Sequence, residues 1–148
     1  MNTRSVTGDF DQVVEQYHRA LGEFMKGDCQ PAMRLFSERE DVTLGNPFGV
    51  FVRGLAQVGE STERAASHYR DGGAAGFDTI AKYVTPDLAY LVEVERFESK
   101  VGGREDVSPV HLRVTSVFRQ EEGSWKLVHR HADRITTAQS AESVLQMS

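Results

Sequence analysis

In the first half of the chain apolar residues recur at intervals of three and four. In the second half they alternate with polar ones. Phe10, Val13, Val14, Tyr17, Ala20, Leu21, Phe24 and Met25 form one stripe of a helix. Asp9 with Gln12 forms a capping pair at its start, and Gly27 is a stop at its end. Asp28 caps a second, short helix over 30–36, with Pro31 in its first turn, where no amide donor is missed. Residues 42–44 and 50–52 read as short strands around the turn residues Asn46, Pro47 and Gly49. A third helix opens at Gly54, runs through Leu55, Val58, Thr62, Ala65, Ala66 and Tyr69, and stops at Asp71-Gly72-Gly73. Four long strands are predicted after it, over 77–84, 88–97, 110–119 and 125–135.

Helices followed by strands joined by short connections predict an α+β domain with an antiparallel sheet. Laying the last three strands side by side separates two faces. One collects Tyr90, Val92, Val94, Leu112, Val114, Ser116, Phe118, Val128, Arg130 and Ala132, and is expected to lie against the helices. The other collects Glu93, Glu95, His111, Arg113, Thr115, His129, His131 and Asp133, with Trp125 and Leu127 at one end. An amphipathic face that the helices do not cover is a natural dimer interface, here Glu93, Glu95, Arg113, His129 and His131. Ser116 and Arg130 interrupt the apolar face, and polar groups there must be satisfied or line a cavity.

Composition narrows the function classes. The 148 residues amount to one domain, expected over 9–135, with a frayed start at 1–8 and a frayed tail at 136–148. Seventeen Lys plus Arg against 22 Asp plus Glu give a net charge of −5, an unsuitable surface for nucleic acid or anionic membranes. A single cysteine, Cys29, excludes an intrachain disulfide and a cysteine-rich zinc site. No apolar run approaches the ~20 residues of a membrane span, and the first nine residues lack the apolar core of a signal peptide. The expected setting is the cytoplasm, with no cofactor.

The order of elements resembles the nuclear transport factor 2-like superfamily, which includes ketosteroid isomerase, the SnoaL-like polyketide cyclases and the association domain of calcium/calmodulin-dependent kinase. The resemblance spans about residues 9 to 135. It rests on Val14-Glu15-Gln16-Tyr17-His18-Arg19-Ala20-Leu21, Gly27-Asp28, Met33-Arg34-Leu35-Phe36, Asn46-Pro47-Phe48-Gly49, Arg53-Gly54 and Gly123-Ser124-Trp125-Lys126-Leu127-Val128-His129-Arg130-His131. It implies a cystatin-like roll: a curved antiparallel sheet wrapped around the N-terminal helices, leaving a cone-shaped central pocket. The isomerase's helix-one tyrosine falls on Tyr17. Its catalytic aspartate falls on Asn46, whose amide cannot abstract a proton. Its second, protonated aspartic acid falls on Ser116, a weaker donor. The kinase association domain resembles the Trp-x-x-Val-His-x-His segment and implies binding and assembly.

The expected ligand-binding residues are Tyr17, Asn46, Phe48, Tyr90, Ser116 and Arg130, walled by Val92, Val94, Val114 and Val128. Tyr17 is either a pocket donor or a core aromatic. Arg130 with Ser116 either recognises a carbonyl or acidic group, or Arg130 pairs with an acid such as Asp87 or Glu98. His18 lies one helical step from Tyr17 and is a poor base. His129, His131 and Asp133, with His111, have metal-ligand spacing, but a hydrogen-bonded interface network is the preferred reading, so no metal is expected. Glu93 and Glu95 read as ion-pair partners rather than an acid–base pair, and Cys29 as inert. Two functions stay open. One is a homodimeric module binding a small apolar ligand that carries a carbonyl or acidic group. The other is an isomerase, cyclase or hydrolase whose oxyanion Tyr17 and Arg130 stabilise, with its base unassigned.

Overall fold

The computed structural model describes residues 6–146; the expected fraying of residues 1–5 and 147–148 lies outside them. Helix α1 (Val6–Phe24) buries Phe10, Tyr17, Ala20 and Leu21, the stripe that its spacing predicts. It starts at Val6, before the expected position. Gly27 ends the turn after it with φ +96°, and a side chain there would press on the Tyr69 carbonyl. Helix α2 (Gln30–Met33) is one turn, shorter than predicted. Strands β1 (Thr43–Gly45) and β2 (Val52–Arg53) pair antiparallel, and α3 (Leu55–Ala66) follows.

Strands β3 (Tyr69–Val84), β4 (Leu88–Val101), β5 (Ser108–Glu121) and β6 (Ser124–Asp133) complete one mixed sheet in the order β2-β1-β6-β5-β4-β3. All neighbours are antiparallel except β1 and β6, which run parallel. Strand β3 starts eight residues earlier than the predicted 77, passing through Asp71-Gly72-Gly73 in an irregular stretch where Asp71 takes φ +53°. Gly72 approaches the backbone so closely that its N–H donates to the Met25 carbonyl at 3.1 Å, and a Cβ would collide there. That contact ties the end of α1 to the first turns of β3. After Asp133 the chain forms only an exposed 3-10 turn, Ala141–Val144, among the described residues.

The inner face of β5 is the predicted one, with Leu112, Val114, Ser116 and Phe118 buried. The inner face of β4 is not. Ala89, Leu91, Glu93, Glu95, Phe97 and Ser99 point inward, while Tyr90, Val92 and Val94 point outward. Both phases of this strand carry apolar residues, so alternation alone is ambiguous, and a one-residue choice inverts every side chain. Strand β6 differs for another reason. Val117 pairs with His129 but Phe118 pairs with Leu127, so Val128 is an extra residue in a bulge. The bulge lets Trp125 and Leu127 face the core, contrary to expectation, while Arg130 and Ala132 still face inward. Phe10 anchors this core edge-on against Phe118 at 5.1 Å and Trp125 at 5.4 Å.

Candidate functional site

The inverted phase of β4 puts two carboxylates under the helices, and the bulge in β6 puts a guanidinium opposite one of them. Arg130 donates two hydrogen bonds to Glu95, both at 2.8 Å, in a bidentate pair. Glu95 is fully buried and the Arg130 side chain is 12% exposed. Arg130 also donates to the Tyr17 hydroxyl at 2.5 Å, and its guanidinium carbon lies 5.6 Å from that ring's centre. Tyr17 and Ser116 Oγ stand 2.6 Å apart. Burial opposes the charge on Arg130, yet Glu95 and Tyr17 together outweigh it and hold the guanidinium above its usual range. Burial pushes the Tyr17 phenol up to about 12, against the pull of Arg130, so Tyr17 is a protonated donor at neutral pH.

Tyr17 and Arg130 close one side of a small cavity of about 50 Å³. That volume holds roughly three or four waters. Its wall is apolar: Leu21 and Phe24 from α1, Phe36, Leu44 from β1, Leu112 from β5, and Leu127 with Ala132 from β6. Asn46, Pro47 and Phe48 line it from the β1–β2 loop, and Tyr69 lines it where β3 starts. Phe48 is half exposed and packs against His68 at 4.5 Å and Tyr69 at 5.8 Å. No Asp, Glu or His is among the described residues that line the cavity.

Of the six expected ligand-binding residues, Tyr17, Asn46, Phe48 and Arg130 meet at the cavity. Ser116 is buried behind Tyr17. Tyr90 is on the outer face, 40% exposed and stacked on Tyr83, because the phase of β4 is reversed. For the same reason Val92 and Val94 form no part of the wall. The Asn46 amide is used structurally: it donates to Ser61 Oγ at 2.8 Å and accepts from the Phe48 N–H at 2.9 Å. The partner of Arg130 is Glu95, not Asp87 or Glu98.

Glu93 and Glu95 do not belong to the outer interface; both are buried beneath α1. Glu93 accepts from His18 Nε2, 2.9 Å from each of its oxygens. The His18 ring lies flat on Phe77 at 3.6 Å. Arg113, His129 and His131 do lie on the outer face. Arg113 grips Asp133 at 2.7 and 3.1 Å, and Thr43 Oγ1 lies 2.7 Å from His129 Nδ1. Burial, then the neighbouring His131, lowers the His129 pKa. Among the described residues no three His, Cys, Asp or Glu side chains are grouped to hold a metal.

Sequence reasoning missed Tyr69 at the cavity and the inward role of Glu95. Tyr69 falls where a helical stripe passes into a strand, so either periodicity accounts for it. A usable signal for Glu95 was its phase, shared with Ala89, Leu91 and Phe97.

Comparison with known proteins agrees with this architecture. Structural neighbours include a nuclear transport factor 2-like superfamily protein from Salmonella enterica serovar Typhimurium (TM-score 0.75, 17% identity, 93% of this chain and 99% of that one). A ketosteroid isomerase-like protein from Erwinia carotovora atroseptica gives a TM-score of 0.72 at 14% identity, covering 92% of this chain and 100% of that one. A nuclear transport factor 2-like protein of unknown function from Pseudomonas putida gives 0.68 at 16%, covering 97% and 95%. At these identities the likeness establishes the fold alone. No curated protein sequence matches significantly. No described helix is long and apolar enough to cross a membrane. The model of the SnoaL-like domain matches residues 11–134, and the chain belongs to that family.

Proposed function

We propose that this protein binds a small, largely apolar molecule in the cavity beneath α1, through a hydrogen bond from Tyr17 to a carbonyl oxygen. The observation that carries this reading is the cavity's polar content: a buried phenol braced by Arg130 and Ser116, with no carboxylate or imidazole in the wall. Two hydroxyls share one hydrogen bond, and Arg130 fills one lone pair on Tyr17. One hydroxyl proton is therefore left over, and Tyr17 is the member of the pair that lines the cavity. Because Glu95 already matches the charge of Arg130, a carbonyl suits the site better than an acidic group. Proton abstraction of the isomerase kind lacks an agent, since Asn46 is an amide with both ends engaged. Binding without turnover is the favoured reading over an isomerase, cyclase or hydrolase.

The outer sheet face is proposed to join two copies of the chain. Tyr90, Val92 and Val94 replace Glu93 and Glu95 beside Arg113, His129 and His131, which makes the face more apolar than the sequence pattern alone suggests. Val94→Arg should turn a dimer into a monomer in sedimentation; an unchanged profile would remove this face from the assembly. The free thiol of Cys29 suits the cytoplasm.

The binding test uses a matched series of cyclopentanone, methylenecyclopentane and cyclopentanecarboxylate, followed by ligand-observed NMR. The ketone should bind most tightly, and Tyr17→Phe should remove its advantage. Tightest binding of the carboxylate, or no binding of any of the three, would reject the reading.

A further inference from the structure

Tyr69 is the second phenol of the cavity, and its hydroxyl is free of the network that holds Tyr17. The residue is 96% buried, being 4% exposed, and it lines the cavity from the start of β3. Its hydroxyl makes no hydrogen bond to any described residue. The oxygen is not sealed off, since the one fully buried side-chain polar atom without a partner among the described residues is Trp125 Nε1, so the Tyr69 O–H is open to whatever fills the cavity it lines. The two charges that act on Tyr17, Arg130 and Glu95, also act on Tyr69, so both phenols lie within the field of one ion pair. Burial keeps Tyr69 protonated, with its pKa pushed up to about 12. Its place is mechanically defined: the Gly72 contact to Met25 anchors the strand start, and Phe48 packs on the Tyr69 ring from the mouth.

We propose that Tyr69 is a second hydrogen-bond donor to the ligand of this cavity, and that Tyr17 and Tyr69 together select neutral ketones or aldehydes. The inference rests on the binding reading above and specifies its ligand class. A carbonyl oxygen has two in-plane lone pairs and can accept from both phenols. The cavity holds only about three or four waters in all, so a small ligand seated in it meets both walls. The charge balance between Arg130 and Glu95 leaves no net cation for a carboxylate, and an alkene of the same shape leaves both donors unmet.

The test compares wild type and Tyr69→Phe, using cyclopentanone labelled with carbon-13 at the carbonyl and methylenecyclopentane as probes. The wild-type protein should bind the ketone in preference to the alkene and shift the carbonyl resonance downfield. Tyr69→Phe should weaken the ketone about tenfold, as loss of one hydrogen bond does, and should move the resonance back upfield. Alkene affinity should stay within about twofold, since the ring and its packing are kept. Unchanged ketone affinity and resonance in Tyr69→Phe overturns the role of Tyr69 while leaving the Tyr17 reading intact. Equal weakening of ketone and alkene also overturns it, by showing a packing effect. A wild-type protein that does not prefer the ketone overturns the binding reading and this inference together.

Discussion

The two faces of the sheet carry the same kinds of ion pair under opposite conditions. On the outer face Arg113 and Asp133 form a bidentate bridge with the arginine side chain 55% exposed. On the inner face Arg130 and Glu95 form an equally well-aligned bridge, 12% and 0% exposed. The geometry is alike and the energetics are not. In water the outer pair is screened and contributes little. Inside, each charge has lost its hydration, so either partner alone is worse than neither. The inner bridge therefore specifies where Tyr17 and the cavity sit, while the outer bridge can be lost with small effect.

Glu95→Ala breaks the comparison most severely. It leaves the Arg130 charge buried and unpaired, and should cost about 3–5 kcal/mol in denaturant unfolding. Glu95→Leu combined with Arg130→Met should recover much of that stability. A single-variant loss no larger than that of an outer-face variant would erase the distinction. The share of one phenol in the alkaline titration is the next largest effect. The folded pKa of Tyr17 and Tyr69, about 12, lies above the unfolded value of 10.0. The folded state then holds protons that the unfolded state releases, so stability is whole below pH 10 and falls between about 10 and 12. The slope should be about 1.4 kcal/mol per pH unit for each phenol. Unfolding midpoints measured across that window should fall less steeply in Tyr17→Phe, and equal slopes would contradict the burial of its hydroxyl.

Glu93→Gln keeps the shape of the side chain and removes the charge that faces His18. A loss of about 1 kcal/mol in thermal unfolding is expected, the difference between a charge-assisted and a neutral hydrogen bond. The smallest effect belongs to Arg113→Ala, a slight drop in unfolding midpoint that added salt reduces further. A larger, salt-independent loss there would mean that the outer pair is buried in an assembly.

Much of the scaffold could be read from spacing. The α1 stripe, the order of helices and strands, and the inner face of β5 follow from period 3.6 and period 2 alone. The placement of Tyr17, Asn46, Phe48 and Arg130 at one cavity came from the family resemblance rather than from periodicity. Strand β4 resisted because Leu91 and Phe97 on one phase compete with Tyr90, Val92 and Val94 on the other. A carboxylate reads as exposed unless its partner is known, and the partners of Glu93 and Glu95 lie 75 and 35 residues away. The bulge at Val128 gave no turn signature, so the inward turn of Trp125 and Leu127 was hidden.

By itself, then, the amino-acid sequence determined most of the elements and their order, because hydrophobic periodicity and turn chemistry are local, and its motifs carried the family resemblance. Which phase of β4 faces the helices, which acid matches Arg130, and which phenols reach the cavity were decided only by the tertiary structure. The physical reason is that burial makes a charge dependent on one distant partner, and no local pattern records where that partner comes to rest.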